Sequence, residues 1–433
     1  MTKYINKILT LFLLTALAAC KIDEQIDPNR PSLEGVSKNA TSSQLNNLVV
    51  GTLNQMRADL AAYIDAVGVV GRDHYRFAGS EPRYVSDLLT ATLDNNAFYV
   101  TRPFASRYRT IKNVNILIDA VNNTNSVNEA EKQGYLGFAK TVKAHELLMV
   151  LNQLHDNGVR LDVSNPDALG AFVSRADALT GIANLLQEAS EHLDKAGTTF
   201  KFSLSAGFTG FTNPANFKQF NRGLAARVAV YRERYTEALT ALNGSFMNLE
   251  GDLQAGVYHV FSGSSNDFFN PLFFARNASG EVRLVHPKWL SEAEAGDKRL
   301  AKAALRNNPI VNPAGLTGTH DVWIYTTNTT PVCVLRNEEL VLIYAEAQIQ
   351  ANNSTEAIKA LNIIRKSAGL ADYSGATSKD ALINEMLKQR RYSLYFEGHR
   401  WVDMRRYNKL NEIAVDRATD KVATQFPKPF TEG

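Results

Sequence analysis

The sequence predicts a mainly α protein: tetratricopeptide-like helical hairpins form a scaffold that carries a loop-rich, aromatic-rich subdomain with a few short strands. Three observations lead there. Several segments repeat apolar residues at the 3.6-residue period of a helix buried along one side. The stretch Asn337–Leu370 reads as two helices with small residues at their crossing, in the 34-residue length of a tetratricopeptide unit. Over residues 251–330 the helical period disappears, and Gly, Asn, Ser, Thr and aromatic residues take its place.

At the N-terminus, Lys3 and Lys7 precede an almost unbroken apolar run, Ile8–Ala19. About twelve residues fall well short of the ~20 that a membrane-spanning helix requires. Residues 1–19 therefore read as a secretory signal peptide. The run ends in Leu17-Ala18-Ala19-Cys20, the form of a bacterial lipobox, in which small residues suit the peptidase and the cysteine takes up lipid. Cys20 is the expected lipid-attachment site, and residues 20–43, polar and irregular, read as a tether. The single body is expected over 44–433, with a helical scaffold at about 44–250 and 331–433 and a ligand-binding insert at about 251–330. If Cys20 carries lipid, Cys333 has no disulfide partner and reads as a buried, inert thiol.

The helical elements follow in order. Ile111, Val114, Ile118 and Val121 form one apolar stripe, with Tyr108 entering it; Ile182, Leu186, Ala189 and Leu193 form another, stopped near Gly197. Leu224, Val228 and Tyr231 are followed after a short gap by Tyr235, Ala238, Leu239 and Leu242, which predicts an antiparallel hairpin. In the Asn337–Leu370 pair, Leu340, Ile343, Tyr344 and Ala347 line the first helix. Asn353, three residues before Glu356, suits the cap of the second, and Gly369 its end. Short strands are expected at Trp323–Thr326 and Val332–Leu335.

Composition excludes several functions. Without residues 1–19 the chain loses two of its 47 basic residues, leaving 45 against 44 acidic ones and no run of like charge. Nucleic acid is thus not an expected partner. His145-Glu146 opens like a zinc-peptidase motif, but Met149 stands where the second histidine belongs. His286 and His320 have no spaced ligand partners, and no phosphate-cradling or nucleophile-elbow motif occurs. No catalytic residue, metal or cofactor is expected.

Four stretches carry a family resemblance. "TPVCVLRNEELVLIYAEAQ" (Thr330–Gln348) and "YFEGHRWVDMRRYNKL" resemble the signature segments of SusD/RagB-type outer-membrane lipoproteins, and "LVHPKWLSEAEAGDKRL" and "RYRTIKNVNILID" are similar to two more. The resemblance runs along the whole chain and is strongest over Thr330–Lys409. One departure is local: Gln389 and Ser393 stand where the family pattern carries glutamates. The resemblance implies a lipid-anchored, surface-exposed outer-membrane protein that is not an enzyme. It would bind an oligosaccharide or peptide nutrient and act with a SusC-like TonB-dependent transporter.

A sugar presents flat C–H faces, so aromatic rings in loops, with polar groups beside them, are the residues to expect at such a site. Trp323 and Tyr325 in "HDVWIYTTN", Phe268 and Phe269 in "SSNDFFNP", and His74, Tyr75, Arg76 and Tyr84 in "GRDHYRFAGSEPRYVSD" meet that description, with Arg72 and Asp73 as further polar partners. Trp289, behind Pro287, reads as structural. The other reading is a membrane-tethered tetratricopeptide-like interaction scaffold without a small ligand. The aromatic-rich stretch over Phe261–Tyr325 favours ligand capture, since a scaffold has no use for it. "FEGHRWVDMRRYN" (Phe396–Asn408) is dense in charge and reads as a clasp: Glu397 and Asp403 are expected to pair with Arg400, Arg405 or Arg390 around Trp401, with Gly398 allowing the break.

Overall fold

The computed structural model describes residues 33–432. The lipobox and Cys20 lie outside them. The N-terminal half is helical: α1 (Leu33–Asn39), α2 (Ser42–Gln55), α3 (Leu60–Val70), strand β1 (His74–Phe77), a short α4 (Arg83–Ser86), and the long pair α5 (Phe98–Asn123) and α6 (Glu129–Leu154). The two-residue strands β2 (Val159–Arg160) and β3 (Phe172–Val173) lead into α7 (Arg175–Asp194), α8 (Pro214–Tyr231) and α9 (Tyr235–Asn243). Each of α5 to α8 packs on the helix that follows it, and the α8–α9 pair is the hairpin its stripes predict. Starts are set by side chains that accept otherwise unpaired N–H groups: Asn128 and Glu131 form a reciprocal box at α6, and Ser174 caps α7. Close approach of α6 and α7 requires Gly137, where a Cβ would come within 2.6 Å of Leu193.

The next stretch supplies β4 (Gly256–His259), β5 (Val282–Val285), a short α10 (Pro287–Ser291), β6 (Ala303–Val311), β7 (Thr317–Val322) and β8 (Val332–Arg336). Four strands form an antiparallel sheet in the order β1-β5-β7-β6, with His74 opposite Val285 and Phe77 opposite Val282. The boundary drawn at residue 251 from composition is therefore crossed by main-chain pairing with β1. The strand expected at Trp323–Thr326 lies a few residues earlier: β7 ends at Val322, and the Trp323 N–H donates to the Lys302 carbonyl at 2.7 Å. β8 forms where expected and pairs with β4, with a bulge between Val257 and Tyr258.

β8 runs directly into α11 (Asn337–Gln350), followed by α12 (Ser354–Ser367), α13 (Lys379–Ser393) and α14 (Arg400–Arg406). Asn353 caps α12 by accepting from the Glu356 N–H, and Gly369 takes a φ of 78° just beyond its end. α11 is buried all round and belongs to two hydrophobic cores. Leu340, Ile343 and Ala347 pack with the N-terminal helices and the sheet, while Val341, Leu342 and Ile349 pack with α12 and α13. The protein is mainly α, with tetratricopeptide-like helical pairs and a few short strands. Among the described residues no helix is long and apolar enough to cross a membrane.

Candidate ligand-binding cavity

A cavity of about 740 Å³ opens where β4, β8 and the end of β7 meet the start of α11. Trp323, Tyr325 and Tyr258 line it together with Lys302, Arg336 and Glu397. Trp323 follows the last residue of β7 and is half-buried, with the Arg276 guanidinium 5.8 Å from its ring centre and Phe273 at 6.5 Å. Tyr325 is 4% exposed, and its hydroxyl has no hydrogen-bond partner among the described residues. A buried polar group without a partner is costly, so a ligand hydroxyl there would restore what folding left unpaired.

Charged groups are fixed along the cavity floor. Arg336, at the junction of β8 and α11, donates through Nε and Nη2 to Glu338 Oε2 (2.9 and 2.7 Å) and through Nη1 to Glu397 Oε2 (2.6 Å). Lys302 Nζ donates to the Tyr392 and Ser393 carbonyls at 2.9 and 2.6 Å, at the C-terminal end of α13 where the helix dipole favours a cation. Burial pulls the Lys302 pKa down to about 8 despite the nearby carboxylates of Glu338 and Glu397. After reductive ¹³C-methylation, one dimethyl-lysine is therefore expected to titrate near pH 8, against roughly 10.4 for an ordinary lysine. Lys302→Met should remove that resonance, and a spectrum with no such low-titrating lysine would contradict this environment. Arg299, also on the wall, is held by Asp297 (2.7 Å) and reaches Ser393 Oγ at 3.1 Å. At the other departure position, Gln389 donates to Glu385 at 2.8 Å. Cys333 lines the cavity as a thiol whose pKa burial pushes up to about 12, which makes it a poor nucleophile.

The dense C-terminal motif sits beside this floor. Asp403 accepts from Arg390 Nε (2.7 Å) and Arg406 Nη2 (3.0 Å), Arg406 reaches Glu346 (2.7 Å), and Arg227 pairs with Glu339 (2.6 Å), which ties α8, α11, α13 and α14 together. Burial raises the pKa of Asp403 and of Glu339, and the arginines outweigh it, holding both at about 2. The expected pairing is corrected in three places. Glu397 pairs with Arg336. Arg405 donates instead to the Thr424 and Asn152 carbonyls at 2.9 and 2.6 Å, with its guanidinium 4.1 Å from the Trp401 ring centre. Arg400 makes no ion pair among the described residues. Trp401 is buried and donates to the Ala423 carbonyl at 2.7 Å, and Gly398 takes a φ of 82°. His399, left without a role by its sequence, is drawn by burial to a pKa of about 4 and is neutral beside Glu339.

The SusD family profile matches residues 306–432, which hold Trp323, Tyr325, Arg336 and the clasp. A curated SusD-like protein of Formosa agariphila is 35% identical over 92 residues, 19% of this chain and 18% of that protein's own length. A SusD superfamily protein of Bacteroides vulgatus superposes with a TM-score of 0.65 at 16% identity, covering 90% of this chain and 96% of that one. B. fragilis NanU gives a TM-score of 0.67 at 15% identity, covering 91% and 95%. A putative sugar binding protein of B. vulgatus gives 0.62 at 19%, covering 88% and 89%. The chain is SusD-like in fold.

In this SusD-like chain the residues singled out by sequence part company. Trp323 and Tyr325 share the cavity. Phe268 lies 4.7 Å beneath the Arg57 guanidinium, and Phe269 is 51% exposed; neither lines it. His74, Tyr75 and Arg76 are buried because the loop expected there is strand β1, covered on both faces, and Tyr84, on α4, is buried against Phe98. His74 Nε2 lies 3.2 Å from Asp65, Arg76 stacks over Tyr84 and Phe274, and Tyr75 stacks on Phe77. Arg72 donates to main-chain carbonyls, including Leu89 O at 2.7 Å. Asp73 is buried with an unpartnered Oδ1, and burial raises its pKa to about 7. These side chains offer no surface to a ligand. Trp289 is structural, packed 4.3 Å from the Tyr395 ring. Tyr258, Lys302 and Arg336 escaped sequence reading. Their one signal is that Lys302 and Arg336 fall in or beside the family-like segments.

Proposed function

We propose that this chain is a non-catalytic nutrient-binding lipoprotein, anchored through Cys20 to the outer membrane and exposed at the cell surface. It captures a saccharide in the cavity beside Trp323 and passes it to a SusC-like TonB-dependent transporter. The observation that carries the reading is the cavity itself: two half-buried aromatic residues, Trp323 and Tyr258, line it with charged groups whose positions are already fixed. Flat rings suit the C–H faces of a sugar, and preset donors and acceptors suit its hydroxyls at little ordering cost. The SusD-like fold and the sugar-binding description of a structural neighbour support the same class of ligand. The lipobox supports the anchor. A peptide is the runner-up ligand, and an interaction scaffold would not require a cavity with an unpartnered tyrosine hydroxyl.

Calorimetry against a panel of oligosaccharides and peptides tests this. Trp323→Ala is expected to weaken saccharide binding by roughly tenfold to a hundredfold, since one stacked ring contributes on the order of 1–3 kcal/mol. Unchanged affinity in Trp323→Ala would remove the cavity from the reading, and a preference for peptides would change the ligand class.

A further inference from the structure

We infer that the groove between α5 and the segment at residues 163–169 is a second binding site, which takes an amphiphile with an apolar chain and a carboxylate head, of the class of a medium-chain fatty acid. It shares no lining residue with the cavity beside Trp323, and it stands whether or not that cavity takes a saccharide. The groove encloses about 370 Å³. That volume lies at the lower end of small-molecule sites, which run from about 300 to 1,000 Å³. Its floor is one face of α5, where Tyr108, Lys112, Asn115, Ile116 and Asp119 recur at helical spacing and Phe104 lies a turn before. Val163, Pro166 and Leu169 make the facing wall. Leu169 is 47% exposed, so part of this apolar wall is left to water.

The polar groups of the groove decide what fits. Most are already paired within the protein, which leaves few for the hydroxyls of a polyol. The Tyr108 hydroxyl accepts from the Arg160 N–H at 2.9 Å and donates to the Arg160 carbonyl at 3.0 Å, and Arg160 Nε donates to Glu432 at 2.9 Å. Asn115 accepts from Lys143 Nζ at 2.9 Å and donates to the Val163 carbonyl at 3.2 Å, while Ser164 Oγ donates to Asp162 at 2.7 Å. These bonds also pin the wall to the floor. The apolar surface between them is therefore preformed, and an alkyl chain laid in it orders little of the protein. Two charged groups remain, Lys112 and Asp119, neither with a hydrogen-bond or ion-pair partner among the described residues. They are not equivalent. Asp162 and Asp119 both stabilise the ammonium of the half-buried Lys143, whereas Lys112, exposed at the rim, has no carboxylate within ion-pair distance among the described residues. The unmatched charge is positive, and it selects an anionic head over a neutral or cationic one.

The test is calorimetry with saturated monocarboxylates from hexanoate to dodecanoate, each below its micelle-forming concentration. The protein is the chain from residue 20 onward carrying Cys20→Ser, so that neither lipid nor detergent competes for the groove. Affinity is expected to rise roughly threefold to fourfold per added methylene until the groove is full. Octanol and octylamine should bind more weakly than octanoate, the amine most weakly of the three. Leu169→Asp should weaken decanoate binding roughly tenfold or more, because it sets a charge against the alkyl chain. Lys112→Glu should weaken it by roughly threefold or more, the scale of one exposed ion pair. Trp323→Ala should leave it unchanged. Absence of binding, or an affinity that does not rise with chain length, overturns the site. Full affinity in Leu169→Asp, or a loss in Trp323→Ala, places the acid elsewhere and overturns it equally. Full affinity in Lys112→Glu, or octylamine binding as tightly as octanoate, overturns the anionic head. Leu169 and Lys112 are both exposed, so these variants are expected to fold, and thermal midpoints within a few degrees of the parent check it.

Discussion

Asp65→Ala is expected to cost about 3–5 kcal/mol of folding stability, the loss typical of removing one partner from a buried ionic cluster. Asp65, on α3, is 2% exposed and accepts from Arg283 Nε and Nη2 at 2.7 and 2.8 Å, with His74 at 3.2 Å and Arg76 at 3.5 Å. Without it, Arg283 and Arg76 keep their charges between the sheet and α3, and Glu281 reaches only Arg76. Burial alone would raise the Asp65 pKa, but Arg283 outweighs it and holds the carboxyl far below the usual range. A depressed carboxylate contributes stability that is present above its unfolded pKa, roughly 3.9, and lost only as pH falls through the folded value. The destabilisation should therefore be nearly constant from pH 5 to about pH 8. Urea unfolding at several pH values measures it, and a loss below about 1 kcal/mol would mean the cluster is not load-sharing in the way its distances imply. Saccharide affinity of the folded protein should not change, because His74 and Arg76 face Asp65 and not a ligand.

That same strand shows where sequence reading stops. Helices were legible because their information is local: an apolar stripe, Asn353 three residues before Glu356, a glycine past the end. β1 reads as an exposed loop, since His74 and Arg76 are polar and nothing nearby in sequence announces Asp65 nine residues earlier or Arg283 far along the chain. β6 is hidden for another reason. It contains Asn307, Asn308 and Pro309, poor strand residues, and Pro309 is tolerated because β6 is an edge strand whose register shifts between Leu305 and Ile310. Within the site, Trp323 and Tyr325 were legible as aromatic residues outside helical stripes. Tyr258 was not, for it reaches them only through the β4–β8 pairing. Lys302 was not, because its partners are carbonyls at the end of α13, which no residue type encodes.

The clasp motif and the cavity meet at Arg336, and Arg336→Met is expected to unsettle both, at about 3–5 kcal/mol near pH 8. Arg336 is 3% exposed and is the close partner of Glu338 and Glu397; it also donates to the Ser393 carbonyl at 2.7 Å. Burial raises the pKa of Glu338, and Arg336 with Lys302 outweighs that to hold it below its ordinary value. For Glu397 burial prevails over Arg336, and its pKa is raised. Removing the arginine takes away the largest opposition to burial and leaves Lys302 alone against it, so both carboxyls titrate upward. A group whose folded pKa lies above its unfolded one adds stability below the unfolded value and loses it as pH rises through the folded value. The deficit of Arg336→Met should accordingly be largest near pH 8 and shrink as pH falls towards about 5. Adding Glu338→Gln and Glu397→Gln should recover part of the stability and make the remainder independent of pH. A deficit that does not change with pH in the single variant would show that the two glutamates do not depend on Arg336. Recovered stability without recovered saccharide affinity is the outcome that ties the charged group of Arg336, Glu338 and Glu397 to the ligand, because that group is then needed on the cavity lining and not only to hold the clasp.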